Sequence, residues 1–223
     1  MTRNLDIAKD AGDFFENHYS SGTFSGAHSG TSTGTSTGTH SGPISTSATF
    51  PAGMVIEQFL LPCNGSSITV RSGTYTSENV TAFQDSAHGS FADITGSSIT
   101  YTPPTGAQLV IYKYILQIGY SDSFPKLSIR VMLGGVEADK FRAVYTTENY
   151  LNAKIVLEYP FIIGGSADAT IGRQATWTSG VEIKLQMQSV SGNDATLNQA
   201  DFYGNSSDDI LVPPMIGITT IAG

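Results

Sequence analysis

Two stretches of the chain alternate apolar and polar residues with a period of two. In "KLSIRVML" (Lys126 to Leu133), Leu127, Ile129, Val131 and Leu133 fall on one side and Ser128 and Arg130 on the other. In "VEIKLQMQ" (Val181 to Gln188), Val181, Ile183, Leu185 and Met187 oppose Glu182, Lys184, Gln186 and Gln188. Successive side chains of a strand point to opposite faces of its sheet, so both stretches predict antiparallel strands with one buried and one wetted face. A third stretch, "QLVIYKYILQIGY" (Gln108 to Tyr120), behaves differently. Val110, Tyr112, Tyr114, Leu116, Ile118 and Tyr120 share one face, while Leu109, Ile111 and Ile115 make the opposite face apolar as well. Such a strand is either central in a sandwich or covered on one side by a second subunit.

The rest of the body follows the same grammar. It opens on the extended apolar run "FPAGMVIEQFLL" from Phe50 and closes on "LVPPMIGITTIAG", where Ile216, Ile218 and Thr220 share a face. Turn signals such as "LPCNGSS", "SGTYTSEN", "PPTG", "LGG", "IIGG", "TSG" and "SGND" punctuate it at short intervals. Together they predict about ten short strands and an all-β fold, a jelly-roll-like antiparallel β-sandwich spanning residues 50–223. The phrase "GSSIT" occurs at Gly65 and again at Gly96, which predicts the same local event twice, a turn feeding a strand.

Ahead of the body the pattern changes twice. In residues 1–18, Leu5, Ile7, Ala8, Ala11, Phe14 and Phe15 recur at spacings of three and four, with Asn4 placed to cap a short helix. The helix is too short to be stable alone, so it is either a frayed end or a peg that docks on another protein. Residues 19–49 are almost entirely Ser, Thr, Gly and His, including "GTSTGTSTGTHSGP" from Gly30 to Pro43. That composition buries too little apolar surface to offset the entropy of ordering, and predicts an extended linker or stalk. Its small residues also allow several copies to approach closely around an axis.

Composition narrows the chemistry. A formal charge of -8, from 19 acidic and 11 basic residues, argues against a nucleic-acid partner, because phosphate binding needs clustered Lys and Arg. Cys63 is the sole cysteine, so neither an internal disulfide nor a cysteine zinc site is available. No stretch reaches the ~18 apolar residues of a membrane span, and "MTRNLDIAKDAGDFF" lacks the core of a secretory signal. The expectation is a soluble protein made in a cytoplasm, with no membrane insertion.

Catalytic and metal signatures are equally sparse. His18, His28, His40 and His88 stand in Gly- or Ser-rich surroundings without ligand spacing, and no nucleophile elbow of the G-x-S-x-G type occurs. The close acid pairs are Glu137 with Asp139, where Lys140 and Arg142 offer counter-charges, and Asp208 with Asp209. Neither has the setting of a glycosidase dyad. "GNSSDD" (Gly204 to Asp209) supplies oxygen ligands without completing a calcium-loop pattern. The expectation is a protein that is not an enzyme, with no catalytic residues, cofactor or metal. Aromatic residues are the remaining signal: ten Tyr, eleven Phe and Trp177. Rings set among amides can stack on sugars, and Trp177, Phe202 and Tyr203 are the candidate glycan contacts, against the alternative of core packing.

Several phrases resemble virion proteins of marine tailed bacteriophages. "TFPAGMVIEQ" resembles the "FPAGH-V-I" opening of their fibre proteins, with Met54 where the phage opening usually has His, and "MTRNLDIAKDAG" resembles their "TRxxDIA" start. "GSSITVRSGTYTSENVTAFQ" and "DITGSSITYTPPTGAQLVIYKYILQIGY" resemble a body module of structural proteins from cyanophages and large algal viruses. The resemblance covers most of residues 1–120. It implies a virion component, a homotrimer whose jelly-roll-like head stands on a thin stalk. Its N-terminus, through Leu5, Ile7, Phe14 and Phe15, would dock on capsid, neck or tail proteins. On this reading Val110, Tyr112, Tyr114 and Leu116 form the subunit interface, and host surface polysaccharide is a possible further partner of the head.

Overall fold

A computed structural model describes residues 50–119, 126–146, 152–189, 195–200 and 209–223. The chain divides into two units, Met1–Pro43 and Ile44–Gly223, and every described residue belongs to the second. Leu5, Ile7, Phe14 and Phe15 therefore lie outside the described residues, as do Phe202 and Tyr203.

The described part is all-β. Strand β1 (Val55–Pro62) is followed by the hairpin of β2 (Ser67–Val70) and β3 (Gly73–Thr76), then by the short β4 (Gln84–Asp85), β5 (Ala92–Asp93) and β6 (Ile99–Tyr101). The long β7 (Ala107–Ile118) and β8 (Lys126–Leu133) precede β9 (Val136–Glu137) and β10 (Ala143–Thr146). Next come β11 (Ala153–Ile162), β12 (Val181–Ser189) and three short strands, β13 (Thr196–Leu197), β14 (Gln199–Ala200) and β15 (Ile210–Leu211). The last is β16 (Met215–Ala222). The sequence predicted about ten; the extra strands are two-residue ladders inside the turns, too brief to leave a periodic signal.

Two antiparallel sheets form the sandwich. The first runs β1-β16-β7-β13-β4, with β11 on the free side of β7; the second runs β10-β8-β12-β5, with β6 beside β12 and β9 beside β8. The long strands β7, β8, β11, β12 and β16 alternate between the sheets, as in a jelly roll. Both "GSSIT" copies do what the repeat suggested. Gly65 and Gly96 have φ of 80° and 85°, a turn conformation that suits glycine, and each leads into a strand, β2 and β6.

The alternation read from the sequence sets the faces. Leu127, Ile129, Val131 and Leu133 of β8 and Ile183, Leu185 and Met187 of β12 are buried against the first sheet. Each such side chain contributes roughly 1.5–3 kcal/mol by leaving water. From the first sheet, Phe59, Leu61, Ile216, Ile218, Leu157 and Phe161 complete one continuous core.

The strand with two apolar faces is central, flanked by β16 and β11. Here one expectation is corrected: Val110, Tyr112, Tyr114 and Leu116 do not face another subunit. All four are buried inside the chain, because the second sheet lies across them. The two tyrosines explain why this face is not purely aliphatic. Tyr112 donates its hydroxyl to the Ser97 carbonyl (2.6 Å) and Tyr114 to that of Thr95 (2.9 Å), tying the sheet to the loop before β6. Burial raises the pKa of both phenols, so they stay protonated donors.

Candidate assembly surface

Aromatic residues are spent in the core. Phe59, Tyr75, Tyr101, Trp177, Phe161, Phe141, Tyr159 and Tyr112 form a chain of rings with successive centroids 5.2–6.4 Å apart. Trp177 is 5% exposed and donates its indole N–H to the Tyr101 carbonyl at 3.0 Å. Tyr101 and Phe161 meet its ring at steep angles. The glycan-stacking expectation for Trp177 is corrected accordingly: the ring offers no open face to a sugar. It does help line a groove of about 400 Å³ with Pro103, Pro104 and Ile163.

The acids are held structurally. Glu57 is buried and accepts from the Ser72 N–H (2.7 Å), Ser72 Oγ (2.6 Å) and Tyr101 Oη (2.8 Å). Because the single Tyr101 proton goes to Glu57, Thr220 Oγ1 at 2.6 Å donates to Tyr101. This network stitches β1, β16 and β6 together, and among the described residues no second carboxylate shares it. Glu137, one of the acids read from the sequence, is gripped by Arg130 (2.8 Å) and Arg142 rather than by Lys140. Burial pushes its carboxyl up, but the hydrogen bonds from Arg142 and Arg130 outweigh that and hold it below its ordinary value. Its companion Asp139 begins a short 3-10 turn. Cys63 is buried, and desolvation pushes its thiol up to about 12. Among the described residues, no three His, Cys, Asp or Glu side chains gather as a metal site. The "GNSSDD" motif falls largely outside the described residues; Asp209 accepts from Gln199 Nε2 at 2.6 Å.

The outer faces of the two sheets differ sharply. On the second sheet the outward positions of β8 and β12 are mostly polar and tied together, with Met132 and the exposed Val144 of β10 as apolar exceptions. Arg130 donates to Gln186, Gln186 and Lys184 donate to Asp93, and Arg130 stacks over the Phe91 ring at 4.0 Å. On the first sheet, the registers of β1, β16, β7 and β11 align four outward rungs. The outermost two are Pro62, Met215, Ile115 and Val156 at one end and Val55, Ile221, Leu109 and Ile162 at the other. Between them lie Leu60, Gly217, Lys113 and Glu158, then Gln58, Thr219, Ile111 and Pro160. The one charged pair, Lys113 with Glu158, is mutually satisfied as an ion pair.

Several of these side chains stand well out of the chain: Val156 is 52% exposed, Val55 48%, Leu60 46% and Ile162 42%. Leu60 lies over Gly217, where a Cβ would come within 2.6 Å of the Phe59 carbonyl oxygen, so glycine makes room for it. A contiguous apolar sheet face of this kind is what protein interfaces use. Its signal was in the sequence, as the second apolar face of the strand from 108 to 120. Periodicity alone did not say which of the two faces the sandwich itself would cover.

No family profile matches the chain, and no curated protein matches it. Among solved structures it is similar to a chain in the structure of the infectious bursal disease virus Gx strain, at 10% identity and a TM-score of 0.33. The match covers 76% of this chain and 38% of that chain, so the chain spans well under half the length of its neighbour. At that level the likeness carries no argument about role.

Proposed function

We propose that the chain is a non-enzymatic structural component of a bacteriophage virion, a trimeric fibre or decoration protein. In this reading the N-terminal segment, through Leu5, Ile7, Phe14 and Phe15, binds a capsid, neck or tail protein, and the β-sandwich is carried outward on the linker of residues 19–49. The observation that carries the proposal is the contrast between the two outer sheet faces: one mostly apolar and charge-balanced, suited to other protein, the other bearing a connected polar lattice across β8, β12 and β5. The phrases shared with phage fibre proteins support the same reading. Buried Glu57 and partly buried Glu137 support it as well, since each is committed to structural partners.

The test is incorporation. The full chain, supplied to particles assembled without it, is expected to bind them, whereas I7S/F14S/F15S is expected to stay in the supernatant. Equal incorporation of the two proteins contradicts docking through the N-terminal segment. Failure of both contradicts the virion role.

A further inference from the structure

We infer that the apolar outer face formed by β1, β16, β7 and β11 is occupied by copies of this same chain, three such faces closing on one another around a threefold axis parallel to the strands. The inference rests on the trimeric reading above and names the surface that makes it.

Charge favours this face for self-association. Three copies of a chain with net charge -8 repel wherever their acidic surfaces meet. Within the four rungs the only ions are Lys113 and Glu158, paired with each other, so the face carries no net charge. Copies can meet here without setting like charges against each other. The polarity resumes just past the first rung, at Gln117 and Lys154.

The dimensions of the face fit three copies. Four strands about 4.8 Å apart make a face about 19 Å wide. Three such faces arranged as a triangular prism place each sheet about 5.5 Å from the axis, close to half of the ~10 Å at which sheets pack through their side chains. The prism therefore fills with the side chains present and leaves no lumen. A narrower face would clash at the axis, and a much wider one would enclose a void. Over eight residues at ~3.3 Å each, the face has a flat area of about 500 Å² per copy before side-chain relief is counted. That approaches the ~800 Å² that each partner of a stable interface buries.

The edges suit a closed ring. At each corner of the prism, β11 of one copy runs beside β1 of the next. Both are edge strands of the first sheet; Gln174 already takes the free edge of β11 beside Ile162, and Pro160 denies β11 a ladder hydrogen bond in mid-strand. The corner is thus closed by side chains rather than by sheet extension, which keeps the assembly at a closed number of copies instead of an open fibril.

The experiment uses the full chain and light scattering. Wild type is expected at three times the single-chain mass of 23.6 kDa. L60E/V156E places two carboxylates per copy on the face and is expected to fall threefold, to monomer. V144E, at a 62% exposed valine on β10 of the other sheet, is expected to remain trimeric. A monomeric wild type overturns the trimeric reading and the inference with it. A trimeric L60E/V156E leaves the trimer standing and overturns the assignment of the face.

V55C/I162C gives an answer that does not depend on the glutamate variant folding. Val55 and Ile162 lie on one rung at opposite edges, three strand spacings or about 14 Å apart, beyond the ~7 Å Cα limit of a disulfide within one chain. Mild oxidation is expected to close three chains into a covalent trimer on a denaturing gel. Trimers in solution that yield only single chains on that gel overturn the face.

Discussion

The first and second sheets share one core and have opposite exteriors. On the second, polar side chains from β8, β12 and β5 satisfy one another: Arg130, Gln186, Lys184 and Asp93 form a lattice that water can complete. On the first, the corresponding positions of β7 and β16 are mostly apolar, Leu109, Ile111, Ile115, Met215 and Ile221, with Lys113, Gly217 and Thr219 between them. The difference teaches that alternation by itself marks one buried face per strand, and that a strand without polar alternation asks for two covers. The second sheet supplies one of them. In the trimer proposed above, neighbouring copies supply the other.

The largest expected effect strikes both sheets at once. Leu185→Ala opens a cavity at the centre of β12, and is expected to lower unfolding free energy by about 2–5 kcal/mol in denaturant titration. Loss below about 1 kcal/mol would mean the core is not shared as described. Next is Tyr101→Phe, which deprives buried Glu57 of one donor and leaves the Thr220 hydroxyl without its acceptor. A loss of about 1–3 kcal/mol is expected, with the mass in solution unchanged.

Acid sharpens the comparison further. Hydrogen bonds from Lys184 and Gln186 hold Asp93 below its ordinary 3.8, and those from Arg142 and Arg130 hold Glu137 below 4.5 despite its burial. Carboxyls whose folded pKa is depressed add stability that is fully present above those ordinary values and is lost as pH falls through the lowered ones. The unfolding midpoint is therefore expected to drop below about pH 4.5, and to drop less steeply in Glu137→Gln. An identical slope in the variant would remove Glu137 from the account. The smallest effect is expected from Lys184→Ala, which loosens an exposed pair on the polar face and should leave the mass by light scattering as it was.

Much of this organisation was legible in the sequence. The buried faces of β8 and β12 follow directly from the alternation at Leu127 to Leu133 and Val181 to Met187. The turns at Gly65 and Gly96 follow from the repeated "GSSIT". Three things were not legible. In the sequence the face of Val110, Tyr112, Tyr114 and Leu116 suits an interface equally well, because local periodicity does not encode which side the second sheet occupies. Trp177 reads as a sugar platform because its neighbours are small and polar; its burial depends on Tyr101 and Phe161, both distant in sequence. The Glu57 network joins residues separated by up to 119 positions, which no local pattern reports.

The most direct test sets one methionine on each exterior face against the other. Met215 lies on the apolar face of the first sheet and Met132 on the polar face of the second, and both are half-buried in the single chain. Mild peroxide treatment of the full chain, followed site by site with mass spectrometry, reports which sulfur is reached. Met132 is expected to oxidise about tenfold faster than Met215, with Met54 fast and the core Met187 slow as references. Equal rates at Met132 and Met215 would contradict this, because they would show the apolar face open to solvent like the polar one.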